Sequence, residues 1–262
     1  MSENRSIELS VEVPGTPEEV WRTVATGPGI SSWFIPHELD ERAGGNVVMD
    51  FGAFGQDTAK VAGWEPPHRL VLQGRDDDRG GALAYEWLVE ARDGGPCVVR
   101  LVCSGFGPGA EWDADYEGMT SGWKLFLQNL RLQLTHFRGQ VAARTIIPTV
   151  LTTGTHDRAW AGLCMAVGIP TDLTTGDRVD GALGLAGVVH HASGGPPVSE
   201  YSLLLNGPAP GTAVVTAQGA GDPVVCSAYL YLYGPQADDV DPEAWAARLR
   251  SALEPGQGTA DG

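Results

Sequence analysis

Apolar and polar residues alternate from Ile7 to Val13. Ile7, Leu9, Val11 and Val13 share one face, with Glu8, Ser10 and Glu12 on the other. That period of two predicts a half-buried strand. Thr16-Pro17-Glu18-Glu19 follows and carries an N-cap hydroxyl, a proline at the first helical position and a glutamate at N3. This is a capping box, in which two orphan donors are satisfied reciprocally. Val20, Trp21 and Val24 continue at helical spacing, and a second short helical stretch ends in Trp33-Phe34-x-Pro36.

After Pro36 the period returns to two. Val47, Met49 and Phe51 form one face; Lys60 to Trp64 is a short strand stopped by Pro66-Pro67, and Leu70 to Gln73 follows. Beyond a turn over 74–81 come Tyr85, Trp87 and Val89. A turn at 93–96 leads into Cys97 to Phe106, with Val99, Leu101 and Cys103 expected inward. Consecutive strands joined by short turns predict an antiparallel meander. A long helix is expected from about Tyr116 to Arg138, with Trp123, Phe126, Leu127, Leu130, Leu134 and Phe137 as its apolar stripe. Glu117, Lys124, Arg131 and Arg138 repeat every seven residues on the wet side. The stripe must lie against something, and the preceding sheet is the nearest partner.

The order then starts again. Ala142 to Thr152 is β-prone; Thr155-His156-Asp157 caps a helix holding Trp160, Leu163 and Val167, stopped near Gly168. Strands are expected at Leu183 to His190, Tyr201 to Leu205, Thr212 to Ala217 and Val224 to Tyr233. Asp241-Pro242 caps a last helix with Trp245, Leu249 and Leu253 on one side. Residues 1–139 and 140–254 thus read as two α+β domains, and 255–262 as a disordered tail.

A length of 262 residues favours two domains, and 42% apolar residues are enough for two cores. A net charge of −16 argues against nucleic acid and against anionic membrane surfaces. Cys97, Cys103, Cys164 and Cys226 form no C-x-x-C pair. Free buried thiols in a reducing cytosol are the expectation. No apolar leader and no run of about 18 apolar residues appears, so a cytoplasmic protein is expected.

Four segments carry a family resemblance: the strand leading into Thr16-Pro17-Glu18-Glu19-Val20-Trp21, Ser32-Trp33-Phe34-x-Pro36, Gly63-Trp64-Glu65-Pro66-Pro67-His68-Arg69-Leu70, and Gly122-Trp123-Lys124-x-Phe126-Leu127. Together they cover residues 5 to 139. This stretch resembles the SRPBCC (START-like) superfamily, and within it the family named for the C-terminal domain of the heat-shock-protein-90 ATPase activator. The resemblance implies a helix-grip fold, a curved antiparallel sheet wrapped on a long C-terminal helix, around a largely apolar cavity. By element order alone, residues 140–254 extend it to a second, smaller domain of that kind. Fold does not settle function.

Candidates for the cavity lining are Trp33, Phe34, Phe51, Tyr85, Trp87, Cys103, Trp123 and Phe126. The competing reading is that these rings fill the core and leave no space. The acidic run Glu111-Trp112-Asp113-Ala114-Asp115-Tyr116-Glu117 could gate the cavity or supply an acid or base. More simply, it is a solvated loop whose charge favours the helix N-terminus. Asp76-Asp77-Asp78 reads as surface. His190 and His191 are adjacent in a strand and point to opposite faces, which argues against a shared metal. No H-x-x-x-H, no G-x-S-x-G and no phosphate-binding glycine pattern occurs, so no metal and no cofactor are expected.

The expectation is therefore a binder of a small hydrophobic molecule, such as a lipid, polyketide or aromatic metabolite. Alternatives are a cyclase, aromatase or hydrolase acting on such a molecule, or a chaperone-associated interaction module. A homodimer is left open. The segment before residue 5 is too short to hold the activator's own N-terminal domain, which argues against a chaperone partner.

Overall fold

The computed structural model describes residues 5–76, 81–92 and 95–254. Residues 77–80 of the expected hairpin turn, 93–94 of the next turn and the expected tail 255–262 lie outside the described residues. The chain divides into two compact units, Met1–Val141 and Ala142–Gly262.

In the first unit β1 (Ile7–Val13), α1 (Pro17–Ala25) and α2 (Gly27–Ile30) precede β2 (His37–Leu39) and β3 (Asn46–Asp50). Then come β4 (Gln56–Glu65), β5 (Arg69–Gly74), β6 (Ala84–Ala91), β7 (Cys97–Ser104) and the long helix α3 (Ala110–His136). Among the described residues they form one seven-stranded sheet in the order β1-β7-β6-β5-β4-β3-β2. Every pairing is antiparallel, so β2 to β7 are a meander and β1 closes it beside the last strand. The capping box starts α1 as expected. Thr16 Oγ1 accepts from the Glu19 N–H at 3.3 Å, and the Glu19 carboxylate accepts from the Thr16 N–H at 3.0 Å.

Register decides which side chains share the concave face. Cys103 stands opposite Ile7 on one side and Tyr85 on the other, and Tyr85 stands opposite Leu72. Trp87 lies in the next row, between Leu70 and Leu101. The helix α3 packs along β1 with Leu130 and Leu134 fully buried, while Glu117, Lys124, Arg131 and Arg138 are exposed. A sheet wrapped on one long helix is the helix-grip arrangement.

The structure corrects the start of that helix. It begins at Ala110, so the acidic run is its opening turns and not a solvated loop. Two causes are visible. Gly109 turns the chain into the helix at φ +105°, a conformation L side chains rarely adopt. Trp112 then buries its indole to 1% exposure, edge-on to Phe106 at 5.9 Å. Room for that indole comes from two glycines: a Cβ on Gly81 or Gly107 would sit 2.3 or 2.4 Å from its ring. The same turns fasten β1. Asp113 pairs with Arg5, and Tyr116 donates its hydroxyl to the Ser6 carbonyl at 3.2 Å.

The second unit contains β8 (Arg144–Ile146), β9 (Thr149–Thr152), α4 (His156–Val167), β10 (Arg178–Asp180), β11 (Ala186–Ser193), β12 (Val198–Gly207), β13 (Gly211–Gln218), β14 (Val224–Leu232) and α5 (Pro242–Leu253). Its described sheet runs β10-β11-β12-β13-β14-β8, and β9 also pairs with β14. The two short strands are one edge broken at Pro148, which has no N–H to give but accepts from the Ala228 N–H at 3.1 Å. The first strand thus again lies beside the last. Thr155 caps α4, and Gly168 ends it in the left-handed region. Asp241 caps α5. Trp160, Leu163, Trp245 and Leu249 make one core with the inner residues of β12 to β14. The closing helix has 12 residues against 27 in the first unit, roughly 18 Å against 40 Å at 1.5 Å per residue. Among the described residues no helix is long and apolar enough to cross a membrane.

Candidate functional site

The turn after α2 sets one wall of the site. Trp33 donates its indole N–H to the Thr23 carbonyl at 3.0 Å, and its own carbonyl accepts from Asn129 Nδ2 at 2.8 Å. Ser32 Oγ–H donates to the Pro28 carbonyl, and the His37 N–H donates to Ser31 Oγ at 2.9 Å. Held at both ends, the turn drives Trp33 into the core and presents Phe34 on the other side. Phe34 meets Trp123 at 4.7 Å and Phe126 at 4.6 Å between ring centroids.

Behind these rings lies a cavity of about 130 Å³. Leu72, Tyr85 and Trp87 of β5 and β6 form its floor, and Met119, Gly122, Trp123 and Phe126 of α3 its roof. Ile30, Phe34, His37, Met49 and Phe51 close the remaining side. A space of this size accepts about one aromatic ring, well short of the roughly 300 Å³ at which drug-sized sites begin. A Cβ on Gly122 would meet nothing within 4 Å, so the helix leaves its backbone bare towards open space there.

Six of the eight expected residues line this cavity: Phe34, Phe51, Tyr85, Trp87, Trp123 and Phe126. Trp33 and Cys103 do not. Trp33 is 0% exposed because its indole N–H is claimed by Thr23, and Cys103 is 0% exposed between Ile7 and Tyr85 on neighbouring strands. Sequence reasoning missed His37, Met49 and Met119. Met49 stood in the alternating face of β3, and Met119 falls one turn before Trp123 on the helix, so spacing alone could have added both.

Burial governs the ionisable groups. It holds the His37 imidazole down at about 4, against a hydrogen bond to the Ile35 carbonyl that works the other way. The Tyr85 phenol is pushed up, chiefly by burial and further by Cys103 and Asp57. The Cys103 thiol is pushed up to about 12 by burial. Lining groups near neutral pH are thus a neutral imidazole, a neutral phenol, two indoles, hydrocarbon and two thioethers. Among the described residues no group of three His, Cys, Asp or Glu side chains could hold a metal ion.

The histidines of the second unit do other things. A β-bulge between Val189 and His191 breaks the strict alternation expected for the pair. His191 Nε2 lies 3.2 Å from the Glu200 carboxylate, whose pKa burial raises while His191 opposes the rise. His156 is buried, its Nδ1–H donating to the Gly219 carbonyl at 2.7 Å and its Nε2 accepting from Ser199 at 2.9 Å. Ser199 Oγ also accepts from the Gly195 N–H, so this serine and histidine tie a hairpin to the start of α4 inside the core. An open groove of about 330 Å³ lies beside Trp160, Leu173, Ser193 and Tyr201, and the Tyr201 hydroxyl there accepts from the Leu173 N–H.

Two sequences described as uncharacterized proteins, from two strains of Mycobacterium tuberculosis, are 29% identical over 118 residues, covering 39% of this chain and 81% of theirs. Among solved structures, the di-domain ARO/CYC BexL from the BE-7585A biosynthetic pathway is 14% identical with a TM-score of 0.47, over 95% of this chain and 93% of BexL. DynU16, from the dynemicin biosynthetic locus, is 16% identical with a TM-score of 0.45, over 94% of this chain and 93% of its own. Residues 14–134 match the family described as activator of Hsp90 ATPase homolog 1-like protein. Over those residues the helix-grip unit at the N-terminus of this chain is similar to that family.

Proposed function

We propose that the first unit binds a small, mostly apolar molecule between α3 and the concave face of its sheet. The observation that carries this reading is the cavity of about 130 Å³ walled by Phe34, Trp87, Trp123 and Phe126 where a fully packed core would leave none. Burying about 200 Å² of ligand surface at ~25 cal/mol per Å² gives ~5 kcal/mol, a dissociation constant on the order of 0.1 mM before ordering costs. Single-ring aromatic compounds in a thermal-shift series are the test. Ligand at about 100 times its dissociation constant should add ~2.7 kcal/mol of stability. Gly122→Leu should fill the space, abolish that shift and leave the fold intact. A protein whose melting temperature ignores every apolar compound, with or without Gly122→Leu, would end the reading.

Turnover of the bound molecule by a cyclase, aromatase or hydrolase chemistry has less support. A general acid or base works best with a pKa near the working pH, and the lining groups are displaced away from it: imidazole downward, phenol upward.

A further inference from the structure

Two residues that line the cavity, His37 and Tyr85, carry polar groups that can serve as acceptor and as donor to a guest. His37 is 9% exposed, and its Nδ1 lies 2.9 Å from the Ile35 carbonyl oxygen. A carbonyl can only accept, so Nδ1 carries the proton and Nε2 of the neutral ring keeps its lone pair. Nε2 has no hydrogen-bond partner among the described residues, and it is not one of the sealed orphan atoms of the core. Nε2 is therefore not closed off by protein, and His37 is one of the residues that line the cavity. The Tyr85 hydroxyl is in the same position: it has no partner among the described residues, is not sealed and belongs to a cavity-lining side chain.

These two groups select among ligands. A hydrocarbon would strip water from Nε2 and return nothing, leaving an acceptor unsatisfied. A carboxylate would set acceptor against acceptor at His37 Nε2, and no lysine or arginine lines the cavity to offset its charge. An ammonium would find no carboxylate there. What remains is an uncharged molecule with a donor; a hydroxyl can both donate to Nε2 and accept from Tyr85, and the ring walls at 4.6 and 4.7 Å from Phe34 favour a flat one. We infer that the ligand of this cavity is a phenol, whose O–H donates to His37 Nε2 while its ring lies against Phe34, Trp123 and Phe126. The Tyr85 hydroxyl then donates to an acceptor on the same molecule. This rests on the reading that the cavity holds a ligand at all, and refines it from apolar to phenolic.

The test compares p-cresol with p-xylene on the whole protein by calorimetry, since the pair differ only by hydroxyl against methyl. The wild type should prefer p-cresol, and His37→Leu should move the ratio of the two affinities towards p-xylene by at least about tenfold. Should that variant fail to fold, ¹⁵N spectra of the wild type serve instead. The His37 Nε2 resonance should move upfield with p-cresol and stay in place with p-xylene. A wild type that binds p-xylene as well as or better than p-cresol, or a ratio unmoved by His37→Leu, overturns the phenol inference and leaves the cavity reading standing. Binding of neither compound overturns both.

Discussion

His37 couples the cavity to pH. Its imidazole titrates at about 4 in the folded chain, against the ordinary 6.5. Below 6.5 the unfolded chain takes up a proton that the folded one refuses, so acidification favours unfolding. The resulting loss of stability should develop between about pH 6.5 and 4 and approach ~3 kcal/mol beneath that window. Urea midpoints measured across it should fall more steeply for the wild type than for His37→Leu; parallel slopes would show that the ring is not buried neutral. This residue was invisible beforehand for a physical reason. It sits in a three-residue strand after a proline, too short to show a period, whereas Tyr85 and Trp87 stood in a strand long enough to reveal which face they share. Trp33 and Phe34 show the limit from the other direction. Both are aromatic and adjacent, and only the partner of the Trp33 indole N–H, the Thr23 carbonyl, decides which one reaches the cavity.

Among elements, the long helix was readable in its middle and misread at its start. Seven-residue repetition of Glu117, Lys124, Arg131 and Arg138 marks the solvated side, and that regularity begins only with Glu117. The six residues ahead of Tyr116 look polar, yet their one tryptophan fixes them in the helix by filling a slot between two glycines. Gly107→Ala should therefore cost ~1–3 kcal/mol from overpacking against Trp112, and Trp112→Ala ~3–5 kcal/mol from the hole it leaves. Chemical denaturation reads both, and a Gly107→Ala protein as stable as the wild type would show that the indole has room to shift. Caps were the most legible signals of all, because Thr16, Thr155 and Asp241 act within three residues along the chain. Thr16→Ala should cost ~1 kcal/mol in the same assay.

At the scale of the whole chain, the division into two units followed from a repeated order of strand, tryptophan-bearing helix, meander and helix. Inner dimensions did not follow, since they depend on how long each closing helix is and where it starts. The joint between the units is exposed at Arg138, Gly139, Gln140 and Val141, and Gly139 turns there at φ +76°. Brief trypsin treatment should cut first after Arg138 and release two pieces of about the unit sizes, read by intact mass. Earlier cleavage within β4 to β7 would argue against an independently compact first unit.

The tethered turn bearing Phe34 has a consequence for kinetics. Its backbone is pinned by Asn129 and Ser31 and its Trp33 indole by the Thr23 carbonyl, so the Phe34 ring, swivelling about its side-chain bonds, is the part left to swing aside. Traffic through such a doorway needs no chain segment to unzip. Guests should come and go within microseconds, and titrated methyl resonances of Met49 and Met119 should glide smoothly without splitting into paired signals.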